Sequence, residues 1–171
     1  MIAFLLVVTL AGQARPEVLI ALARDGWAAA RAAAQHGGSP ESLAPARRNV
    51  EEIEKLTKGT VWHLQGEYAR TLIAAAIATA QNEHAELELQ LVHARDISER
   101  LTTSSYPARW PLTIDEAEGE LYLALYRYVE AGRAFARAGK TTEACDAYRQ
   151  AVKSMTGAAV DEAKAYVTTC K

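Results

Sequence analysis

Residues 125–158, LYRYVEAGRAFARAGKTTEACDAYRQAVKSMTGA, decide how this chain folds. Apolar and small residues recur every three or four positions on both sides of Gly139, which predicts two helices joined by a tight turn. Tyr128, Ala131, Gly132 and Phe135 fall on the first helix, and Ala144, Tyr148 and Ala151 on the second. Gly132 and Ala144 let the two helices approach closely, while Phe135 and Tyr148 fill the space that remains. Small therefore faces large across an antiparallel hairpin.

The rest of the chain extends this helical reading. Half of its 171 residues are apolar and 23% are charged. Ala-rich runs outnumber β-branched and aromatic ones, which favours an all-α fold of one domain over residues 15–171. Pro16-Glu17 opens a first helix that Gly37-Gly38 stops, and residues 39–44 read as a connector. Pro45 then opens a second helix closed by Gly59, and Thr60 caps a third that breaks near Asn82. A fourth runs from Glu83 to about Leu101. Residues 102–112, with two prolines, Tyr106 and Trp110, read as a loop whose aromatics dock back on the bundle. Thr113-Ile114-Asp115-Glu116 is a capping box, and it starts a fifth helix expected to continue unbroken to Ala138. A sixth spans about Thr141 to Met155, and a terminal helix covers 160–170.

The offsets of the opening stretch identify a family. Tyr128, Ala131, Gly132 and Phe135 stand where a tetratricopeptide (TPR) repeat places Trp, Leu, Gly and Tyr, and Ala144, Tyr148 and Ala151 where it places Ala, Phe and Ala. Residues 125–158 thus resemble one TPR repeat, a helix pair about 34 residues long. Thr156 departs from the pattern, which usually has Pro there. Upstream, Trp62 and Gly66 fit, but Gln65 stands for Leu and Ala69 for Tyr. The resemblance implies antiparallel hairpins, stacked as a TPR-like α-solenoid or closed as a compact bundle of about seven helices, and a protein-binding role.

In TPR hairpins the first helix lines the concave face. The positions that hold an extended peptide correspond here to Tyr126, Val129, Arg133 and Arg137, with Tyr122 a turn earlier. Two guanidinium groups on such a stripe would favour an acidic segment or a C-terminal carboxylate. The alternative is a solvated face on which Glu130 neutralises Arg133 or Arg137. Val129 is apolar where the family's clamp wants a polar group.

Residues 1–14 read as a signal peptide: Ile2 to Leu10 are apolar, and Ala11-Gly12-Gln13-Ala14 offers the small residues a signal peptidase requires. The apolar block is too short to span a bilayer, and no Cys follows for a lipid anchor. Export would place the chain in the periplasm or outside the cell. No Lys or Arg precedes the block, so a buried first helix or a start codon set too far downstream stays open, with the cytoplasm as the alternative compartment. Cys145 and Cys170 lie about level on helices flanking a turn near Thr156-Gly157, so a disulfide is geometrically allowed; two unpaired thiols are the alternative.

Motifs for chemistry fail on spacing. The formal charge is −2, and no basic run is interleaved with aromatics, which argues against nucleic acid. The four histidines form neither Glu-x-x-His nor His-Glu-x-x-His, so no metal or cofactor is expected. His63, Glu67 and Tyr68 stay close enough on one helix, with Tyr122, to line a pocket between the third and fifth helices. The sequence reading is a non-catalytic binding or assembly module, with an enzyme or small-ligand carrier using that pocket as the alternative.

Overall fold

The computed structural model describes residues 16–104 and 112–170. The segment read as a signal peptide, together with Tyr106 and Trp110, lies outside the described residues. Within them the protein is all-α, with eight helices and no strand: α1 (Pro16–Ala34), α2 (Pro40–Thr57), α3 (His63–Ala80), α4 (His84–Thr102), α5 (Ile114–Ala124), α6 (Tyr128–Arg137), α7 (Thr141–Ser154) and α8 (Ala158–Val167).

Successive helices pack as hairpins, and α3 packs against α1, α2 and α4. One core runs through α1–α5, where Ile53, Leu72, Ile73, Leu87 and Ile97 are fully buried. Smaller clusters hold α6–α8 together, built on Ala131, Phe135 and Ala144 and on Val129, Tyr148 and Ala163. Tyr122 touches both the main core and the Phe135 cluster, so it joins the two halves.

Three boundaries differ from the sequence reading. α2 begins at Pro40 rather than Pro45, because Ser39 supplies the cap: its Oγ accepts from the Ser42 amide at 3.3 Å, and Pro40 takes the first helical position. Pro45 lies inside α2 and forfeits one backbone bond near the helix start. α3 begins at His63, since Thr60 closes the preceding turn instead, accepting from the Trp62 amide at 3.1 Å and donating to the Thr57 carbonyl at 2.9 Å. The terminal helix spans Ala158–Val167 rather than 160–170.

The largest difference is a break in the expected fifth helix. The Thr113–Glu116 capping box forms, with the Thr113 amide 2.7 Å from Glu116 Oε2 and the Glu116 amide 3.2 Å from Thr113 Oγ1. The helix it starts stops at Ala124, because Tyr126 adopts the left-handed conformation at φ +60°. The Arg127 amide then reaches back to the Tyr122 carbonyl at 2.9 Å, which satisfies a carbonyl the helix end would leave orphaned. The same turn recurs at Asn82 (φ +59°) and Gly139 (φ +72°), with Glu83 to Ala78 and Lys140 to Phe135 bonds of 2.9 Å. There are consequently eight helices among the described residues, not about seven.

The break reveals a regular packing. Gly119-x-x-Tyr122, Gly132-x-x-Phe135 and Cys145-x-x-Tyr148 recur at a thirteen-residue spacing on α5, α6 and α7. A Cβ added to Gly119 would sit 2.6 Å from the Phe135 ring, and one on Gly132 would sit 2.8 Å from the Tyr148 ring. α5 and α6 thus each offer a hydrogen where the next helix presents an aromatic face.

Candidate functional site

The side chains named from sequence do not form one stripe. Because the chain turns at Tyr126, Tyr122 and Val129 lie on different helices. Val129 is 2% exposed and belongs to the core under α8, which corrects its placement on a surface face. Arg133 forms a two-pronged pair with Glu162 of α8, its Nε 2.8 Å from Glu162 Oε1 and its Nη2 on Oε2. Arg137 reaches back to α5 and holds Asp115 at 2.9 Å and Glu118. Arg95 of α4 binds the same two carboxylates, so the four charges tie α4, α5 and α6 together. Glu130 pairs with Arg127 rather than with Arg133 or Arg137.

Tyr122 donates to Glu88 at 3.0 Å, and the Arg127 guanidinium stacks over its ring at 4.4 Å. Burial first, then the Glu88 carboxylate, push the Tyr122 phenol up to about 12, so it stays protonated near neutrality. Of the five, Arg133 and Arg137 are exposed but engaged in ion pairs, and Tyr126 is the most open to solvent, at 75%.

The proposed pocket residues also separate. Tyr68 is buried in the main core, where burial raises its phenol strongly. His63 is exposed and Glu67 half-buried, and Glu67 sits 4.0 Å from His63 Nε2 and 3.3 Å from His93 Nε2. Among the described residues no three His, Cys, Asp or Glu side chains are grouped to hold a metal ion. No helix among them is long and apolar enough to cross a membrane. Cys145 and Cys170 are joined by a disulfide, with Cα atoms 6.0 Å apart.

A concave site lies elsewhere, between α1 and α5 over α3, as a cleft of ≈ 590 Å³. α1 presents Arg24, Trp27 and Arg31 to it at helical spacing, so they share one stripe, which Gln35 continues in the turn that follows. Ala76 and Thr79 of α3 form the floor, and their small size keeps it deep. Leu121, Ala124 and Tyr126 form the opposite wall. Glu120 links the two sides, accepting from Trp27 Nε1 at 3.3 Å and from Arg31 Nη1 at 2.6 Å. That pairing holds the indole edge and leaves its ring against the core.

Arg24 pairs with the adjacent Asp25 at 3.3 Å, with both side chains about two-thirds exposed. A contact so exposed contributes little and yields readily to a better-placed carboxylate. The cleft therefore combines a floor of small residues and an aromatic wall with two arginines against one glutamate, a combination that can hold an apolar group beside a carboxylate. Trp27 has no repeat position in the sequence reading. The signal that could have found this stripe is the spacing of Arg24, Trp27, Arg31 and Gln35 at three, four and four residues, which puts charge and aromatic on a face adjoining that of Leu19 and Ala23. The chain matches no protein-family model, no curated protein and no solved structure.

Proposed function

We propose that this protein is a non-catalytic binding or assembly module of TPR-like type, exported to an oxidising compartment, which holds a polypeptide in the cleft between α1 and α5. The cleft itself carries this reading: it is concave, walled by Trp27 and Tyr126, and rimmed by Arg24 and Arg31. Aromatic anchors beside arginine are the groups that dominate protein interfaces. Supporting the TPR-like description, α6 and α7 form a hairpin in which Gly132 meets the Tyr148 ring. Supporting export, a Cys145–Cys170 disulfide persists where thiols are not kept reduced.

A small-ligand carrier is the second reading, favoured by a cleft volume within the range of small-molecule sites. Site-specific photocrosslinking in the living cell separates the two. A photoreactive residue replaces exposed Ala28, inside the cleft, or exposed Val92 on α4, outside it. The expected result is a polypeptide adduct from position 28 that is absent from position 92 and lost on Arg31→Glu at matched thermal stability. No polypeptide adduct from position 28 would remove the proposal and leave the ligand reading.

A further inference from the structure

The C-terminal helix makes contacts of a kind usually reserved for a bound partner. α8 has ten residues, too few to be stable alone. It begins after Gly157 at φ +94°, a conformation suited to a hinge. It docks with Val160 and Ala163 buried, and with Tyr166 and Val167 half-buried at the same face. Beneath it lie Val129 of α6 and Tyr148 and Ala151 of α7. The Tyr148 and Tyr166 rings meet at 4.5 Å. At the edge, Glu162 takes both prongs of Arg133 and accepts from the Tyr148 hydroxyl at 3.2 Å. Apolar anchors at helical spacing with one charge-matched edge describe a helix laid in a groove. The remaining tie is covalent, the Cys145–Cys170 bond, whose Cys145 end is buried and whose Cys170 end is half-buried.

We infer that the α6–α7 face is a helix-binding surface occupied in cis by α8 and clipped shut by Cys145–Cys170, and that its partner once the clip is cut is α8 of a second copy. The cut is thiol–disulfide exchange with a dithiol. One dithiol sulfur, as thiolate, attacks Sγ of the half-buried Cys170, and Cys145 leaves as thiolate and takes a proton. The second dithiol sulfur then displaces Cys170, so two cysteine thiols form and the dithiol becomes a disulfide. In the chain-entropy picture, losing a bond across 25 residues raises the opening of α8 on the order of 100-fold. A freed α8 finds the same groove on a neighbour at little cost, the usual route to a swapped dimer.

The test uses the full chain oxidised, reduced with dithiothreitol, and as the Cys145→Ser, Cys170→Ser variant. The probe is a fluorescent peptide of residues 156–170 carrying Cys170→Ser. The inference expects no peptide binding to the oxidised chain, binding to the other two, and a dimer at high concentration in both. It also expects α8 amides in the reduced monomer to exchange about 100-fold faster while circular dichroism stays helical. Arg133→Glu in the reduced chain should weaken the peptide at least tenfold, and a Glu162→Arg peptide should recover the loss. Unchanged α8 exchange without peptide binding would make α8 a permanent element and overturn the inference. Loss of all helical signal on reduction would overturn it too, since the bond would then hold the whole fold. Peptide binding indifferent to Arg133→Glu would place it on another surface.

Discussion

Tyr126 stands at a position that ordinarily belongs to glycine. Its backbone is left-handed at φ +60°, which costs a side-chain-bearing residue about 1 kcal/mol, yet its side chain is 75% exposed and recovers little of that by packing. Strain held by an exposed aromatic at the edge of a cleft is a feature that function explains better than stability does. Tyr126→Gly is therefore expected to raise stability by about 0.5–1 kcal/mol in urea unfolding, while reducing crosslinking from position 28. A destabilised variant would mean that the ring contributes more packing, through its edge-on contact with Tyr128, than the backbone loses. Gly38 illustrates the opposite case. It is left-handed at φ +61°, and an added Cβ would collide with the Ala80 carbonyl, so glycine there is required rather than merely favoured. That glycine was legible in the sequence as a helix stop. Tyr126 was not, because nothing about tyrosine announces a turn.

At the scale of the element, α5, α6 and α7 form a relay in which the Phe135 ring of α6 lies against Gly119 of α5 and the Tyr148 ring of α7 lies against Gly132 of α6, and α5 and α6 each end in a left-handed turn. Ion pairs bind the relay at its edges: Glu116 to Lys140 at 3.0 Å, and Glu162 to Arg133. The Arg133 guanidinium holds the Glu162 carboxyl below its ordinary value of 4.5. At Glu116, burial pushes the carboxyl up, but the Thr113 amide and the Lys140 ammonium outweigh it and hold it down. A carboxyl depressed in the folded state stabilises fully above its ordinary value and loses that contribution as the pH falls through the folded one. Stability should then decline from about pH 4.5 downward, and the decline should be shallower in Glu162→Gln and Glu116→Gln than in wild type. Urea midpoints at pH 7, 4.5 and 3 check this. Equal slopes in all three proteins would show that these pairs do not set the acid limb. The thirteen-residue spacing that underlies the relay was present in the sequence, but it is hidden by exchange of Gly for Cys and Phe for Tyr. Without a glycine or proline at the turn, helical periodicity runs straight through Tyr126, which is why one long helix was expected where two exist.

In the whole molecule, the main core of α1–α5 and the small clusters of α6–α8 make unequal contributions. Leu72 is fully buried in the first, so Leu72→Ala should cost about 3 kcal/mol and lower the hydrogen-exchange protection of α3 and α4 together. Protection lost only in α6–α8 would show that the two parts are coupled differently from their packing. The sequence by itself determined the all-α class, the capped start of α5, the stop at Gly37-Gly38 and the small-to-large packing of α6 on α7. Those features depend on residues close together along the chain, where propensity, capping and helical spacing act directly. Only the tertiary structure decided that Val129 is covered by α8, that Arg133 and Arg137 are taken by Glu162, Asp115 and Glu118, and that Trp27 faces Tyr126 across a cleft. A side chain's availability depends on which distant helix comes to lie beside it, and in an Ala-rich chain many helix faces are small enough to be covered by several neighbours. The physical reason is that burial and charge pairing are set by contacts between segments far apart in sequence, which local pattern alone does not specify.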